Sequence, residues 1–313
     1  MESPIQRAPS PVYYQKDWKV WWRLVRPHTL TAAFVPVILG TVLAISYDSR
    51  FDIGLFITML IASFLIQIGT NLFNEYYDYK RGLDNAESVG IGGGIVRDGL
   101  QPKTIMQLAL SLYGIALLIG IYICMNSSWW LAAIGLGCML MGYLYTGGPL
   151  PIAYTPFGEL ASGLLMGMII VLISFFIQTS TVTMESILTA TPIMILVGSI
   201  NLSNNIRDLD GDKENGRKTL AILLGKKNAV HFLATMFIIS YIWVFGLVGF
   251  GIISPWILLV VLSIPKALTA VKGFLKNYAY APIQMMPAMK ATSQTNTIFG
   301  ILLSVGLFIG TIL

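Results

Sequence analysis

A chain of 313 residues that is 55% hydrophobic and only 11% charged, with a mean hydropathy of +0.72, lacks the polar surface of a soluble domain, which needs roughly a quarter of its residues charged. The composition excludes a soluble enzyme and makes the chain an integral membrane protein. Its formal net charge of +5 is a topology signal with some attraction to anionic lipid heads, and no nucleic-acid footprint.

Residues 1–28 read as a cytoplasmic and interfacial segment. In it DWKVWWRLVR, Asp17 to Arg26, mixes tryptophan with basic residues as an interfacial anchor does. The small-residue cleavage pattern of a signal peptide is missing, so no processing is expected. Residues 29–313 read as a single transmembrane domain. Apolar runs of about 20 residues, the length that crosses a hydrocarbon core of ~30 Å as helix, recur at roughly 29–47, 53–74, 105–125, 129–146, 158–178, 187–205, 230–252, 255–271 and 295–313. The fold class is therefore all-α, a polytopic bundle of about nine transmembrane helices.

Lys and Arg in short loops are retained on the cytoplasmic side. With the N-terminus inside, every Lys and Arg except Arg50 falls on the inner face. Trp129 and Trp130 then anchor the outer face. Cys124 and Cys138 fall inside spans and read as small buried apolar side chains, with no disulfide or thiolate metal site indicated.

The acids are not scattered. Of the 15 acidic residues, nine lie in two segments, Glu75, Asp78, Asp84, Glu87 and Asp98 in one, and Asp208, Asp210, Asp212 and Glu214 in the other. Each segment directly follows an apolar run. NLFNEYYD at 71–78 and NLSNNIRD at 201–208 share the pattern N-L-x-N-x-x-x-D, offset by 130 residues. Spacings of i, i+3 and i+7 place Asn71, Asn74 and Asp78 on one helix face, and Asn201, Asn204 and Asp208 on another. Amides and acids are costly to leave facing lipid, so both faces are expected to turn inward. Hard oxygen ligands without His or Cys suit Mg²⁺, which binds through one or two carboxylates plus substrate phosphates. A phosphorylated ligand bridged between two helix ends follows, with Arg97, Arg207, Lys213, Arg217 and Lys218 as candidates for the remaining phosphate charge. The glycine-rich stretch SVGIGGGIVRDG, Ser88 to Gly99, matches neither a Walker loop nor a dinucleotide fingerprint and reads as a flexible connection or a cap over the site.

N-E-Y-Y-D (74–78) and D-L-D-G-D (208–212) together resemble the two aspartate-rich motifs of the UbiA superfamily of intramembrane prenyltransferases. RPHTLTAAFVPVILGT (26–41), YDYKRGLD (77–84), GIGGGIVRDGLQPKT (90–104), YTGGPLPIAYTPFGE (145–159) and NNIRDLDGDKENGRKTLAILLG (204–225) narrow the likeness to the branch that uses 1,4-dihydroxy-2-naphthoate. The resemblance implies helices around a central lipid-accessible cavity, in a multi-pass protein of the cell membrane whose site faces the cytoplasm. It implies Asn74, Glu75 and Asp78 as the first metal and diphosphate motif, Asp208 and Asp212 as the second, and Asn204 preceding the second as Asn74 precedes the first. Glu75, Asp78, Asp208 and Asp212 are thus the expected Mg²⁺ ligands. Glu75 stands where Asp is common. Gly82 replaces the last acid of the first motif, leaving Asp84 two residues on, and 146–158 contains no basic residue where some relatives carry a Lys.

The implied reaction joins a polyprenyl diphosphate to 1,4-dihydroxy-2-naphthoate, and no obligate protein partner is called for. Tyr76, Tyr77, Tyr145 and Tyr154 are candidates to stabilise an allylic cation through their ring faces. Arg26 and His28 are candidates for the acceptor carboxylate, and Glu159, in a nearly charge-free stretch, for a functional acid. The alternatives are another aromatic acceptor, such as 4-hydroxybenzoate or homogentisate, and a secondary transporter. The latter fits less well because the acids sit at helix ends and not near the midplane.

Overall fold

The structure is a computed structural model and describes residues 18–48, 51–84, 92–278 and 281–313. Lipid offers the backbone no hydrogen-bond partner, so apolar runs of this length satisfy their own peptide groups as helix. The described residues contain helices and no strand.

A short amphipathic helix, α1 (Trp18–Val25), turns Val20 and Leu24 inward and leaves Trp18 and Trp22 exposed. The bundle then comprises α2 (Thr31–Asp48), α3 (Ile53–Lys80), α4 (Pro102–Asn126), α5 (Trp130–Leu144), α6 (Gly158–Thr179) and α7 (Met184–Glu214). A five-residue helix, α8 (Leu220–Leu224), leads into α9 (Lys226–Gly249), α10 (Pro255–Asn277) and α11 (Pro282–Ile312). Among the described residues, eight helices are long and apolar enough to cross a membrane, and α5 is shorter at 15 residues.

Each expected span has its helix, but the ends differ in a way that matters. The apolar runs stop near 74 and 205, whereas α3 continues to Lys80 and α7 to Glu214. The polar residues extend the helix because neighbouring elements supply partners for their side chains, as set out below. α11 likewise begins at Pro282, well before the expected 295.

The larger core lies between α2, α6, α7, α9, α10 and α11, around Phe175, Phe274 and Phe299. Glycine sets the closeness of α6 to α7. A Cβ at Gly167 would lie 2.5 Å from Met194 Cα, and one at Gly163 2.5 Å from Met194 O, so only a small residue fits at either position. A smaller core joins Val20 and Leu24 of α1 to Leu72 and Phe73 of α3 and to Ile95. Leu118, Leu140, Ile238 and Ile242 face outward and are exposed, an apolar belt suited to lipid.

The glycine-rich connection differs from a flexible connector in its second half. Residues 88–91 lie outside the described residues, and 92–95 are buried. Arg97 N donates to Gly93 O (2.7 Å) and Leu100 N to Gly94 O (2.9 Å), so the segment folds as a compact turn.

Candidate active site

Asp78 stands in the last turn of α3, and Asp208 and Asp212, four residues apart on one face, in the last turns of α7. Arg217, delivered by a turn in which Gly216 adopts φ +77°, reaches both helices. Its Nη2 donates to Asp78 Oδ1 at 2.6 Å and its Nη1 to Asp212 Oδ1 at 3.0 Å. The three side chains are 12%, 19% and 7% exposed, respectively. One guanidinium holding a carboxylate from each motif brings together the ends of two patterns offset by 130 residues in sequence. Burial alone would lower the Arg217 pKa, but Asp78 and Asp212 more than offset it and hold the group above its ordinary value.

The loop between α5 and α6 has no base of its own and receives two from its neighbours. Arg81 donates to the carbonyls of Thr146 and Gly148, the latter at 2.8 Å. The Arg81 and Arg217 guanidiniums lie 5.3 and 5.1 Å from the Tyr154 ring centroid. Sequence reasoning gave Arg81 only a topological role. The missing loop base was the signal that an outside cation has to serve that segment.

A cavity of about 430 Å³ opens below these helix ends, within α3, α4, α5, α6 and α7. Met59, Ile66, Leu136, Leu165 and Ile173 line its apolar length. All four asparagines of the repeated pattern, Asn71, Asn74, Asn201 and Asn204, line its polar part, with Arg26 and Tyr145. Asn71 Nδ2 donates to Val25 O (2.8 Å), Asn74 Oδ1 accepts from Thr146 Oγ1 (2.8 Å), and Asn201 Oδ1 accepts from the Tyr145 hydroxyl (2.8 Å). The i and i+3 members of the pattern thus turn inward, whereas Asp78 and Asp208 lie at the helix ends, outside the cavity lining.

The other candidates fall in several places. Glu75, expected beside Asp78 as a metal ligand, is fully buried and accepts from the backbone N–H groups of Gly93 (3.0 Å) and Ile95 (3.1 Å). Arg207 turns back on its neighbour Asp208, with Nε to Oδ1 at 2.6 Å, and directs Nη1 at the sulfurs of Met286 and Met289. Arg97 folds onto the carbonyl of Gly92, and Lys213 and Lys218 lie on the exposed surface. Glu159 is buried and accepts from Asn205 Nδ2 at 2.8 Å. Asp84 helps close α3, its N–H directed to Asp78 O at 3.3 Å. Tyr77 pairs with Tyr143 (2.6 Å between hydroxyls) and packs edge-on to Tyr76, whereas Tyr145 lines the cavity. Among the described residues, no three His, Cys, Asp or Glu side chains converge as one cluster. Asp212 Oδ2 and Asn204 Oδ1 are among the buried oxygens that lack a hydrogen-bond partner, as is Glu159 Oε2. The first two are hard acceptors of the kind Mg²⁺ takes, so the donor set fits that ion.

His28 sits before α2 with a buried Nε2 that has no partner. Burial pushes its imidazole down to about 3, and the Arg26 and Arg207 guanidiniums add to the effect. The folded protein thus keeps His28 neutral while the unfolded chain takes up a proton near pH 6.5. Stability from this group is complete above that pH and falls as pH drops from 6.5 toward 3, by up to about 1.4 kcal/mol per unit. His28→Asn is expected to flatten the dependence of the melting temperature on pH between 7 and 5; an unchanged slope would contradict the assignment.

The arrangement is that of a helical membrane bundle whose two acidic helix ends are bridged over an apolar, amide-rimmed chamber. The comparisons with known proteins agree on the family. The model of the UbiA prenyltransferase family matches residues 33–293, and the chain belongs to that family. It is 65% identical over 291 residues to the 1,4-dihydroxy-2-naphthoate octaprenyltransferase of Bacillus subtilis (strain 168), covering 93% of each chain. The same-named enzyme of Escherichia coli (strain K12) is 27% identical, over 93% of this chain and 96% of the relative. Among solved structures, a UbiA homolog from Archaeoglobus fulgidus bound to GPP and Mg²⁺ has the same fold, with a TM-score of 0.59 at 15% identity, over 91% of this chain and 99% of that one. This chain is therefore a membrane prenyltransferase.

Proposed function

We propose that the enzyme transfers a polyprenyl group from an all-trans polyprenyl diphosphate to 1,4-dihydroxy-2-naphthoate, with release of diphosphate and CO₂, to give demethylmenaquinol, the reduced form of demethylmenaquinone. The observation that carries the donor half is the Arg217 bridge between Asp78 and Asp212 at the polar rim of an apolar cavity. A diphosphate belongs at the helix ends and an isoprenoid tail in the chamber. The acceptor half is supported by the 65% identical relative that carries this activity in its name.

Asp78, Asp208 and Asp212, with the Asn204 amide oxygen, would hold Mg²⁺. When bound, the ion neutralises the diphosphate and stabilises the charge that develops on it as the allylic C–O bond breaks. Arg217 shares its guanidinium between two carboxylates and is placed to transfer hydrogen bonds to a phosphate oxygen. The chamber keeps water from the allylic cation, and the Tyr145 ring, oriented by Asn201, is available to it as a π face. Attack by the electron-rich naphthoate ring and loss of CO₂ complete the exchange.

The basic loops support a cytoplasmic site in the cell membrane. A cysteine introduced at 215 should react from the cytoplasmic side, and labelling exclusively from outside would reject that orientation. For the reaction, membranes supplied with a labelled polyprenyl diphosphate and each of three acceptors should form a decarboxylated prenyl product with 1,4-dihydroxy-2-naphthoate, along with diphosphate. Turnover confined to 4-hydroxybenzoate or homogentisate would reject the acceptor, and solute flux without any prenyl product would reject the enzyme class.

A further inference from the structure

We infer that Glu75 is a positioning residue that latches the 92–98 turn against α3, and is not a metal ligand. Its two carboxylate oxygens are each taken by a backbone donor, Oε2 by Gly93 N–H at 3.0 Å and Oε1 by Ile95 N–H at 3.1 Å. The residue is 0% exposed. Mg²⁺ retains several waters and needs room for them, which a fully enclosed carboxylate does not offer. Charge-assisted bonds to two peptide N–H groups satisfy the anion without a cation.

The surroundings are shaped to this contact. A Cβ at Gly92 would collide with the Glu75 carboxylate and lie 3.1 Å from Arg26 Nη2, so glycine alone lets the chain pass between them. Gly93 adopts φ +83°, a turn conformation from which the N–H groups of Gly93 and Ile95 both reach the carboxylate. Ile95 plugs into the small core beside Leu24, Leu72 and Phe73, and Arg23 holds Asp98 at 2.8 Å. Glu75 and Asp78 are i and i+3 on α3, so the latch fixes the turn directly beside the Asp78 carboxylate. Glutamate at 75 provides the reach that aspartate, one methylene shorter, lacks.

The kinetic part of the test rests on the diphosphate reading of the site; the exchange part does not. In full-length protein in lipid nanodiscs, backbone amides of the 92–98 segment are expected to exchange hydrogen at least tenfold faster in both Glu75→Gln and Glu75→Asp than in wild type. Peptides from α7 should be unchanged. Glu75→Asp separates the two roles, because it keeps a carboxylate that can bind metal while withdrawing it from the turn. The KM for the prenyl diphosphate should rise severalfold in both variants, with the Mg²⁺ concentration for half-maximal transfer within twofold of wild type. Gly92→Ala, which leaves Glu75 in place but crowds the contact, should give the same exchange pattern and serves if the Glu75 variants do not accumulate. Unchanged exchange over 92–98, or a tenfold higher Mg²⁺ requirement in Glu75→Gln, overturns the latch. Absence of prenyl transfer in the wild type would reject the proposed reaction while leaving the exchange result to decide the latch.

Discussion

Asp78→Asn is expected to lower prenyl transfer by about 10²–10³-fold, the range seen when a preorganised group that stabilises transition-state charge is removed. The substitution is nearly isosteric, and the amide oxygen can still accept from Arg217 Nη2, so the helix end keeps its geometry. What is lost is the negative charge that would hold a divalent cation against the diphosphate. Turnover should be measured in membranes at matched protein level and across a Mg²⁺ series. Near-normal turnover at high Mg²⁺ would remove Asp78 from the metal site.

Arg217→Ala is expected to act on stability and activity together. Asp78 and Asp212 are mostly buried, and removing one partner of such an ion network leaves charge uncompensated, at a cost of about 3 kcal/mol. The melting temperature in chelator should fall by several degrees. Millimolar Mg²⁺ should restore most of that loss, because a cation at the same carboxylates replaces the missing guanidinium. Activity should remain low, since the guanidinium proposed to meet the phosphate is gone. Arg217→Lys should fall between, because an ammonium keeps the charge but lacks the planar fork that spans two carboxylates. An unchanged melting temperature in chelator would show that the bridge contributes nothing to the fold.

The elements of this site were unequally legible in the sequence. Apolar runs of spanning length predicted the helices, and the repeated N-L-x-N-x-x-x-D pattern predicted the inward face of its asparagines, because helical spacing alone decides which side chains share a side. All four asparagines line the cavity. The helix ends were less legible. Apolarity ends where the membrane ends, but α3 and α7 continue, because their polar side chains are held by the 92–98 turn, the α5–α6 loop and Arg217.

Basic residues near acidic ones looked alike in sequence, and the structure separates them. Arg217 bridges the motifs, Arg207 is turned aside by Met286 and Met289 of α11, Arg97 closes its own turn, and Lys213 and Lys218 stay at the surface. Those directions depend on distant elements that no local spacing encodes. The same holds for Glu75, whose partners are the amides of a turn 18 and 20 residues away.

The central claim is that two motifs 130 residues apart form one diphosphate site. Its most direct test is calorimetric titration of a non-reactive thiolo analogue of the prenyl diphosphate, with Mg²⁺, into purified wild type, Asp78→Asn, Asp212→Asn and the double variant. One shared site predicts that each single change removes most of the Mg²⁺-dependent affinity and that the double variant is scarcely weaker than either single one. Independent, additive losses, or full affinity in either single variant, would contradict it.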